Sequence, residues 1–332
     1  MLRDILSRIS MLSHTILVFG NPAARHLALL ERLPGDVRVV AGLEPGVFAP
    51  SVRDAQVVLL AGSSASLLRT LWPELRQLQW VHSLWAGLEA TLFPELIESP
   101  VVLTNGRGVF ARSLGEFAIA GMLHFAKNIS RMKVQQASAR WGAFDVEELH
   151  GRTFGIVGYG AIGRFAAERA RAFGMKIVAL RRHPERSADD PLIDRAYPPE
   201  KLLSLVAESD YILAAAPLTP ETRGLIGEPA FAAMKPNAVF INLGRGPVVV
   251  EEQLVRALRE RRIRGAVLDV FDQEPLPASH PLWSLDNVLL SPHTADHTDT
   301  WLQEAAELFL ENYRRFAAGE PLMNVTDKRL GY

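Results

Sequence analysis

A glycine motif between an apolar run and a helical segment constrains this chain more than any other feature. Residues 154–157 are apolar, Gly158, Gly160 and Gly163 follow, and residues 164–173 continue with helical spacing. In a strand–turn–helix unit the first glycine allows a tight turn, the second lets a phosphate approach the backbone, and the third lets helix and strand pack closely. The helix N-terminus adds free N–H groups and a positive dipole end. This context predicts a dinucleotide site, and the alternative is a glycine-rich turn without a ligand.

The composition limits the classes of partner. A chain of 332 residues with 48% hydrophobic and 22% charged residues is typical of a globular protein of about two domains. The net charge of −1 gives no electrostatic basis for binding nucleic acid or an anionic membrane, and no apolar run reaches the ~18 residues of a membrane span. There is no cysteine, which excludes disulfides and thiolate metal sites. We expect a cytoplasmic protein without a metal.

Residues 1–14 are a separate question. Their apolar residues fall on one helical face near two arginines, which faintly resembles a transit peptide, but Asp4 argues against that interpretation. We expect an N-terminal extension, or a natural start at Met11.

Strand-like and helical segments alternate along nearly the whole chain. Strands are predicted at residues 15–19, 37–41, 57–61, 79–83 and 101–104, and again at 154–157, 176–180, 211–215, 238–242, 266–270 and 288–290. Near-continuous apolar strands separated by helices predict parallel sheets covered on both faces. The expected fold class is therefore α/β, with two doubly wound parallel-sheet domains, Rossmann-like and flavodoxin-like, and a cleft between them.

Two segments between the strand series are also informative. Ser113 and Glu116 have the spacing of a capping box, which predicts that a long apolar helix opens there and continues through Ala126. Residues 131–150, with Trp141 and Phe144 among polar residues, have weaker periodicity. We predict a loop or an arm for that stretch.

Three charged or titratable residues stand at the C-terminal ends of the later predicted strands, where ligands gather in open α/β sheets. Arg245 lies between two glycines and is suited to bind an anion with its planar guanidinium group. His293 can exchange a proton near neutral pH, and the carboxylate of Glu274 can orient an imidazole ring. Each also has an alternative structural role, such as capping a helix or lying on the surface.

Several motifs together resemble those of the D-isomer-specific 2-hydroxyacid dehydrogenase family, from about Gln79 to Asp296. They occur in the family's order: Gly158-Tyr159-Gly160-Ala161-Ile162-Gly163, Ala216-Pro217-Leu218-Thr219-Pro220-Glu221-Thr222, Met234-Lys235-Pro236-Asn237-Ala238, Asn242-Leu243-Gly244-Arg245-Gly246, Leu268-Asp269-Val270-Phe271 with Glu274-Pro275, and Ser291-Pro292-His293. Independent motifs in the right order are far more specific than any one of them.

The resemblance implies a role for each catalytic candidate. Arg245 would bind the carboxylate and carbonyl oxygen of a 2-oxo acid, and His293 would protonate that carbonyl oxygen as hydride arrives from a nicotinamide. Glu274 would pair with His293 and keep it protonated, and Asp269 would lie near the nicotinamide carboxamide. These roles agree with the chemistry, because a developing alkoxide needs a positive donor and a proton source.

The resemblance also implies binding residues. The dinucleotide contacts would be Gly158, Gly160, Ala161, Ile162, Gly163, Ala216, Pro217, Thr222, Leu243, Gly244 and Asp269. The segment from Ser83 to Gly87 resembles the loop whose backbone N–H groups, here those of Ala86 and Gly87, hold the substrate carboxylate. Trp85 in that loop would limit the pocket to small 2-oxo acids.

Domain organisation follows from the same resemblance. Residues 1–104 and 293–332 would form a discontinuous substrate-binding domain, and residues 105–292 would form the inserted NAD(P)-binding domain. The active site would lie in the cleft, which closes on the substrate about hinges near 105–113 and 293–298. Residues 131–150 would match a dimerisation arm, so we expect a homodimer in which Trp141 reaches the partner's active site.

The end of the second Rossmann strand indicates which cofactor is used. An NAD-binding fold usually places an acidic residue there to hold the ribose 2′-hydroxyl, about 20 residues past the glycines. Here the position is occupied by Arg181 and Arg182, which can meet a 2′-phosphate. We therefore predict NADP(H) rather than NAD(H), although NAD(H) is possible if these arginines form only a solvated turn.

The substrate and the competing functions stay open. The segment from Asn105 to Phe117 and the arginine pair most resemble glyoxylate/hydroxypyruvate reductases, while larger 2-oxo acids and phosphite are alternatives. A different class is a non-catalytic NAD(P)-sensing protein, such as the C-terminal-binding corepressors, which keep the same three residues. Asp296 and His297 would either touch the substrate or cap the last helix.

Overall fold

The computed structural model describes residues 14–62 and 65–332, so the expected N-terminal extension lies outside the described residues apart from His14. The chain divides into two compact units. The first comprises the described part of Met1–Val109 together with Asp299–Tyr332, and the second comprises Phe110–Thr298.

The strands and helices follow in chain order. The strands are β1 (Thr15–Phe19), β2 (Arg38–Gly42), β3 (Val57–Leu60), β4 (Trp80–Ser83), β5 (Val102–Asn105), β6 (Thr153–Val157), β7 (Lys176–Leu180), β8 (Arg195–Tyr197), β9 (Tyr211–Ala214), β10 (Val239–Asn242), β11 (Gly265–Leu268) and β12 (Val288–Leu290). The α-helices are α1 (Pro45–Phe48), α2 (Ala65–Leu71), α3 (Pro94–Glu98), α4 (Ala111–Ala126), α5 (Ile129–Ala137), α6 (Ala161–Ala172), α7 (Leu202–Glu208), α8 (Glu228–Ala233), α9 (Glu251–Arg259) and α10 (Trp301–Ala318).

The first unit is built on a parallel sheet with the order β2-β1-β3-β4-β5. Its central strands β1, β3 and β4 are buried at every position, as expected when helices cover both faces of a parallel sheet. The C-terminal helix α10 packs on one face, where the ring of Phe309 stacks on Trp80 with 5.2 Å between centroids. Strand β1 and the C-terminal helix therefore share one hydrophobic core.

The second unit is built on a parallel sheet with the order β12-β11-β10-β9-β6-β7-β8. The chain runs outward from β6 through β7 to β8, then returns to the other side of β6 and continues from β9 to β12. The strand order thus reverses between β6 and β9, which is the point where a doubly wound sheet binds its ligand. The prediction of an α/β chain with two parallel-sheet domains is confirmed.

One local prediction is wrong, one holds only in part, and one strand was missed. Helix α4 begins at Ala111 without a side-chain cap, so Ser113 lies within the first turn, and its hydroxyl donates to the Ala295 carbonyl instead. The stretch predicted as a loop or arm contains the helix α5, followed by an exposed non-helical segment. The missed strand β8 has three residues, lies at the sheet edge and is not fully buried, so it has no apolar pattern.

No helix among the described residues has the length and apolar character needed to cross a bilayer.

A buried histidine links the stability of the first unit to pH. The His82 ring is fully buried, its Nδ1 lies 2.7 Å from Thr104 Oγ1, and burial lowers its pKa from 6.5 to about 3. The unfolded chain therefore binds more protons than the folded one between these two values, and stability falls as the pH drops through that window. The slope for one such group is at most about 1.4 kcal/mol per pH unit.

We expect His82→Gln to flatten the pH dependence of the free energy of unfolding between about pH 6.5 and pH 4. Chemical denaturation at a series of pH values measures this slope. His183→Gln, which replaces a half-exposed histidine, is the control and should leave the slope unchanged. An identical slope in His82→Gln and in the wild-type protein would contradict the assignment.

Candidate active site

The glycine turn after β6 contains glycines that the packing of the protein requires and one that it does not require. Gly158 has φ of +96°, and a Cβ atom there would lie 2.5 Å from the Ala216 nitrogen. A Cβ at Gly163 would lie 2.8 Å from Ile156 Cγ2. Both positions are therefore restricted to glycine by the protein itself. At Gly160, in contrast, no atom lies within 4 Å of an added Cβ, so the protein alone does not demand a glycine there.

The open side of Gly160 fits a pyrophosphate group. Helix α6 begins at Ala161, so its first N–H groups, including that of Ile162, have no partner within the helix. Such an N-terminus attracts an anion, and the missing side chain at Gly160 allows close approach. The residues present therefore fit a dinucleotide at the point where the strand order reverses.

The remaining dinucleotide candidates, apart from Asp269, follow β9 and β10. Ala216 and Leu243 are buried, and a Cβ at Gly244 would lie 3.0 Å from the Ala216 carbonyl oxygen. The Thr222 hydroxyl donates to the Pro217 carbonyl at 2.6 Å and so closes the loop that follows β9. The turns after three neighbouring strands thus approach each other closely.

The two arginines after β7 have different surroundings. Arg181 donates to the hydroxyl of the buried Ser187 at 2.8 Å, and its guanidinium lies 5.8 Å from the centre of the Tyr159 ring in the glycine turn. Arg182 is exposed, and its charge contributes to lowering the pKa of Glu221, although the Thr219 hydroxyl is the main cause of that shift. Both arginines therefore lie at the end of the sheet that carries the glycine turn.

Arg245 lies in a tight turn after β10. Its Nη1 donates to the Gly244 carbonyl at 2.8 Å, and its own carbonyl accepts from the Asn242 side chain at 3.2 Å. The next residue, Gly246, has no room for a side chain, because a Cβ would overlap the carbonyl of Phe271. The Arg245 turn is thereby pressed against the segment that leads from β11 to Glu274.

His293 and Glu274 form a hydrogen-bonded pair. His293 Nδ1 lies 2.6 Å from Glu274 Oε2, and Glu274 Oε1 accepts from the Phe271 backbone N–H at 2.9 Å. Because the carboxylate can only accept, Nδ1 donates to it, and Nε2 is the ring nitrogen left for exchanging a proton. The histidine side chain is 42% exposed, so this nitrogen is accessible.

The backbone around His293 is held by Asp269. His293 has φ of +54°, in the left-handed region that a histidine rarely adopts. One carboxylate oxygen of the buried Asp269 accepts from the Ser291 hydroxyl at 2.6 Å and from the backbone N–H groups of Thr294 and Ala295 at 3.0 and 3.1 Å. These three bonds fix the turn on both sides of His293. The sequence indicated Asp269 and the motif containing Ser291, but not this bonding.

Asp296 and His297 do not cap the last helix. Helix α10 begins at Trp301 without a side-chain cap. Asp296 Oδ1 is buried without a hydrogen-bond partner among the described residues, and His297 Nε2 lies 3.8 Å from it. Burial raises the pKa of the Asp296 carboxyl, and the negative charge of Asp269 acts in the same direction. One of the two predicted roles is therefore excluded.

In the first unit, the segment after β4 presents two backbone donors. The N–H groups of Ala86 and Gly87 make no hydrogen bond within the described residues. Trp85 packs against Trp301, with 5.7 Å between ring centroids. Adjacent unpaired N–H groups in a bend after a strand are suited to an anion such as a carboxylate.

The fold and these groups define a class of protein. A doubly wound parallel sheet with a phosphate-sized opening at its glycine turn, and an oriented histidine at the same strand ends, is the arrangement of a nicotinamide-dependent oxidoreductase. Among the described residues, no group of three or more histidines and carboxylates is placed to hold a metal ion.

Comparisons with known proteins identify the family. A family model described as D-isomer specific 2-hydroxyacid dehydrogenase, NAD binding domain, matches residues 119–295. A glyoxylate reductase from Thermococcus litoralis is 35% identical over 294 residues, which cover 85% of this chain and 87% of that protein. A D-3-phosphoglycerate dehydrogenase from Methanocaldococcus jannaschii is 31% identical over 91% of this chain, but the match spans only 57% of that longer protein.

A solved structure gives the same result. An NADPH-dependent glyoxylate/hydroxypyruvate reductase from Sinorhizobium meliloti, solved with NADP and sulfate, superimposes with a TM-score of 0.81 at 25% identity, covering 96% of this chain and 100% of that chain. The chain belongs to the D-isomer specific 2-hydroxyacid dehydrogenase family, which confirms the resemblance predicted from its motifs. It is an NAD(P)-dependent oxidoreductase.

The different surroundings of the glycines generate a prediction. Gly160→Ala should leave the unfolding temperature unchanged, because its Cβ meets no protein atom, but should weaken dinucleotide binding about 10-fold or more by blocking the pyrophosphate. Calorimetric titration and thermal denaturation measure the two effects. Gly158→Ala is the matched comparison and should lower the unfolding temperature, since its Cβ strikes the backbone of Ala216. Unimpaired dinucleotide binding by Gly160→Ala would place the cofactor elsewhere.

Proposed function

We propose that the protein reduces small 2-oxo acids, glyoxylate and hydroxypyruvate, to D-2-hydroxy acids with NADPH. The observation that carries this proposal is the pair of His293 and Glu274, in which a carboxylate orients one ring nitrogen and leaves the other accessible. A carbonyl reduction needs such a proton source, because the oxygen must be protonated as the carbon gains hydride. Bound NADPH supplies that hydride.

His293 acts as the acid in this reaction. In its charged form Nδ1–H donates to Glu274 and Nε2–H is directed to the substrate carbonyl oxygen. The negative charge of Glu274 stabilises the charged ring before the proton leaves. The proton passes from Nε2 to the oxygen, the neutral ring remains hydrogen-bonded to Glu274, and the product is a 2-hydroxy acid.

Arg245 and the Ala86–Gly87 segment bind the substrate's negative charge. Arg245 carries a fixed positive charge at the same strand ends as His293, suited to the carboxylate and to the oxygen on which charge develops. The unpaired N–H groups of Ala86 and Gly87 supply neutral donors for the carboxylate. Asp269 keeps the turn carrying His293 in place. The family resemblance implies that it also lies near the nicotinamide carboxamide.

The preference for NADPH rests on Arg181 and Arg182. Neither is an acidic residue able to hold a ribose 2′-hydroxyl, and both offer donors to a 2′-phosphate. The similar Sinorhizobium reductase is described as NADPH-dependent and was solved with NADP. The small-acid preference is supported by Trp85, beside the unpaired N–H groups, and by relatives named glyoxylate reductase.

Steady-state rates with glyoxylate, hydroxypyruvate and phenylpyruvate, each with NADPH and with NADH, test this proposal. We expect the two small acids to be reduced with a kcat/KM at least about 10-fold higher with NADPH than with NADH. Replacing both Arg181 and Arg182 by alanine should remove most of that ratio. His293→Asn should lower kcat at least about 100-fold without weakening NADPH binding, since it removes only the acid.

Each part of the proposal fails in a distinct way. Equal rates with NADH would refute the cofactor preference and leave the chemistry intact. A preference for phenylpyruvate would refute the small-substrate assignment. NADPH binding without reduction of any 2-oxo acid would favour phosphite oxidation or a sensing role.

We also propose a homodimer formed through the arm, defined here as α5 and the following segment through Val146. The arm exposes apolar side chains, and Trp141 is 100% exposed. The other exposed apolar side chains of the arm are Ile129, Met132, Val134 and Val146. Exposed apolar side chains concentrated on one segment mark an interaction surface, and a second copy of the chain is the partner that the family resemblance predicts.

Sedimentation at micromolar concentration tests the dimer. We expect twice the chain mass of 36.7 kDa for the wild-type protein, and a dimer dissociation constant raised at least about 100-fold by Trp141→Ala combined with Val134→Asp. Trp283→Ala removes a half-exposed tryptophan outside the arm and is the matched control, expected to stay dimeric. A monomeric wild-type protein would refute the proposal.

A further inference from the structure

The segment after β4 is held from one side by the end of β5. The Asn105 side chain donates to the Ala86 carbonyl at 2.7 Å. The next residue, Gly106, donates its backbone N–H to the Trp85 carbonyl at 3.1 Å. Two successive carbonyls after β4, those of Trp85 and Ala86, are therefore fixed by two successive residues at the end of β5.

These two bonds also fix the direction in which the Ala86 and Gly87 N–H groups point, because each N–H shares a peptide group with one of the bonded carbonyls. In a trans peptide the C=O and N–H groups point to opposite sides of the chain. Holding the Trp85 carbonyl towards Gly106 turns the Ala86 N–H away from β5, and holding the Ala86 carbonyl towards Asn105 does the same for the Gly87 N–H. The two unpaired donors are thus directed away from β5.

Asn105 is itself held in a fixed position. It is 3% exposed, and its side-chain oxygen accepts from the Arg107 N–H at 3.3 Å. From the C-terminal segment, the Asn324 side chain donates to the carbonyls of Asn105 and Arg107 at 3.1 and 2.7 Å. A buried amide that is bonded through both its nitrogen and its oxygen is a rigid support, because its rotamer is fixed before any ligand binds.

We propose that Asn105 is a positioning residue for substrate binding, whose side chain aims the Ala86 and Gly87 N–H groups at the carboxylate of the 2-oxo acid. This inference rests on the proposed function, because it takes the carboxylate to bind at these donors. It assigns to β5 the specific task of fixing a peptide orientation that the Ala86–Gly87 segment does not fix by its own hydrogen bonds.

Asn105→Ala tests this role by removing the donor to the Ala86 carbonyl. We expect the KM for glyoxylate and the inhibition constant of oxamate, an unreactive carboxylate analogue, to rise together about 10-fold. The kcat should change less than about 3-fold and the NADPH dissociation constant should not change, because Asn105 touches neither the hydride path nor the glycine turn. Asn105→Asp keeps the size of the side chain but cannot donate, so it should raise both constants at least as much.

Gln56→Ala is the structural control in the same unit. The half-buried Gln56 side chain accepts from the Thr15 backbone N–H at 2.9 Å and donates to Gln77 at 3.0 Å, at the N-terminal ends of the parallel strands, whereas Ala86 and Asn105 lie at their C-terminal ends. Its replacement should lower the unfolding temperature and leave oxamate inhibition unchanged. This separates a loss of stability from a loss of carboxylate positioning.

The outcomes distinguish the inference from the function on which it rests. An active wild-type enzyme whose oxamate inhibition is unaltered in both Asn105 variants would overturn the positioning role alone. A wild-type protein that binds NADPH but neither reduces 2-oxo acids nor binds oxamate would overturn the proposed function and the inference with it. A parallel rise in KM and oxamate inhibition constant at nearly constant kcat is the supporting result.

Discussion

The candidate site depends on the hydrogen bonds between the Asp269 carboxylate and the turn that carries His293. The carboxylate is buried at the end of β11, and it accepts two backbone N–H groups and one hydroxyl from the turn that follows β12. These three bonds hold His293 in a left-handed backbone conformation that costs on the order of 1 kcal/mol or more. Without these bonds the backbone of His293 could relax, and its ring would no longer be held against Glu274. The orientation of the histidine after β12 therefore depends on a carboxylate that follows the neighbouring strand, β11.

Most of the fold could be predicted from the sequence because its strands are apolar along their whole length. Eleven of the strands among the described residues lie within one or two positions of the predicted runs. β8 could not be found, because a short edge strand that is only partly buried carries no continuous apolar signal. Ser113 misled the prediction for a different reason. A serine near a helix start resembles a cap, but this hydroxyl bonds to Ala295, far away in the sequence.

The site was predictable as a set of residues and not as a set of contacts. Arg245, Glu274 and His293 could be selected because each follows a strand in an α/β chain, and Glu274 and His293 do meet through a hydrogen bond. The difference between Arg181, bonded to Ser187, and Arg182, coupled to Glu221, was not visible, since the partners are set by how two loops fold back. The support given by Asn105 to Ala86 was invisible for the same reason, because it joins residues of different strands.

The close contact at Gly246 has a consequence for anyone reshaping this protein. The turn that carries Arg245 and the stretch that carries Glu274 touch backbone to backbone, with no side chain between them to absorb a shift. Because of this contact, a shift of one segment forces a shift of the other. A loop graft intended to alter what the arginine recognises would displace the partner of the histidine as well. Substrate specificity is therefore better altered in segments outside the Gly246–Phe271 contact, where a replaced side chain leaves the proton donor undisturbed.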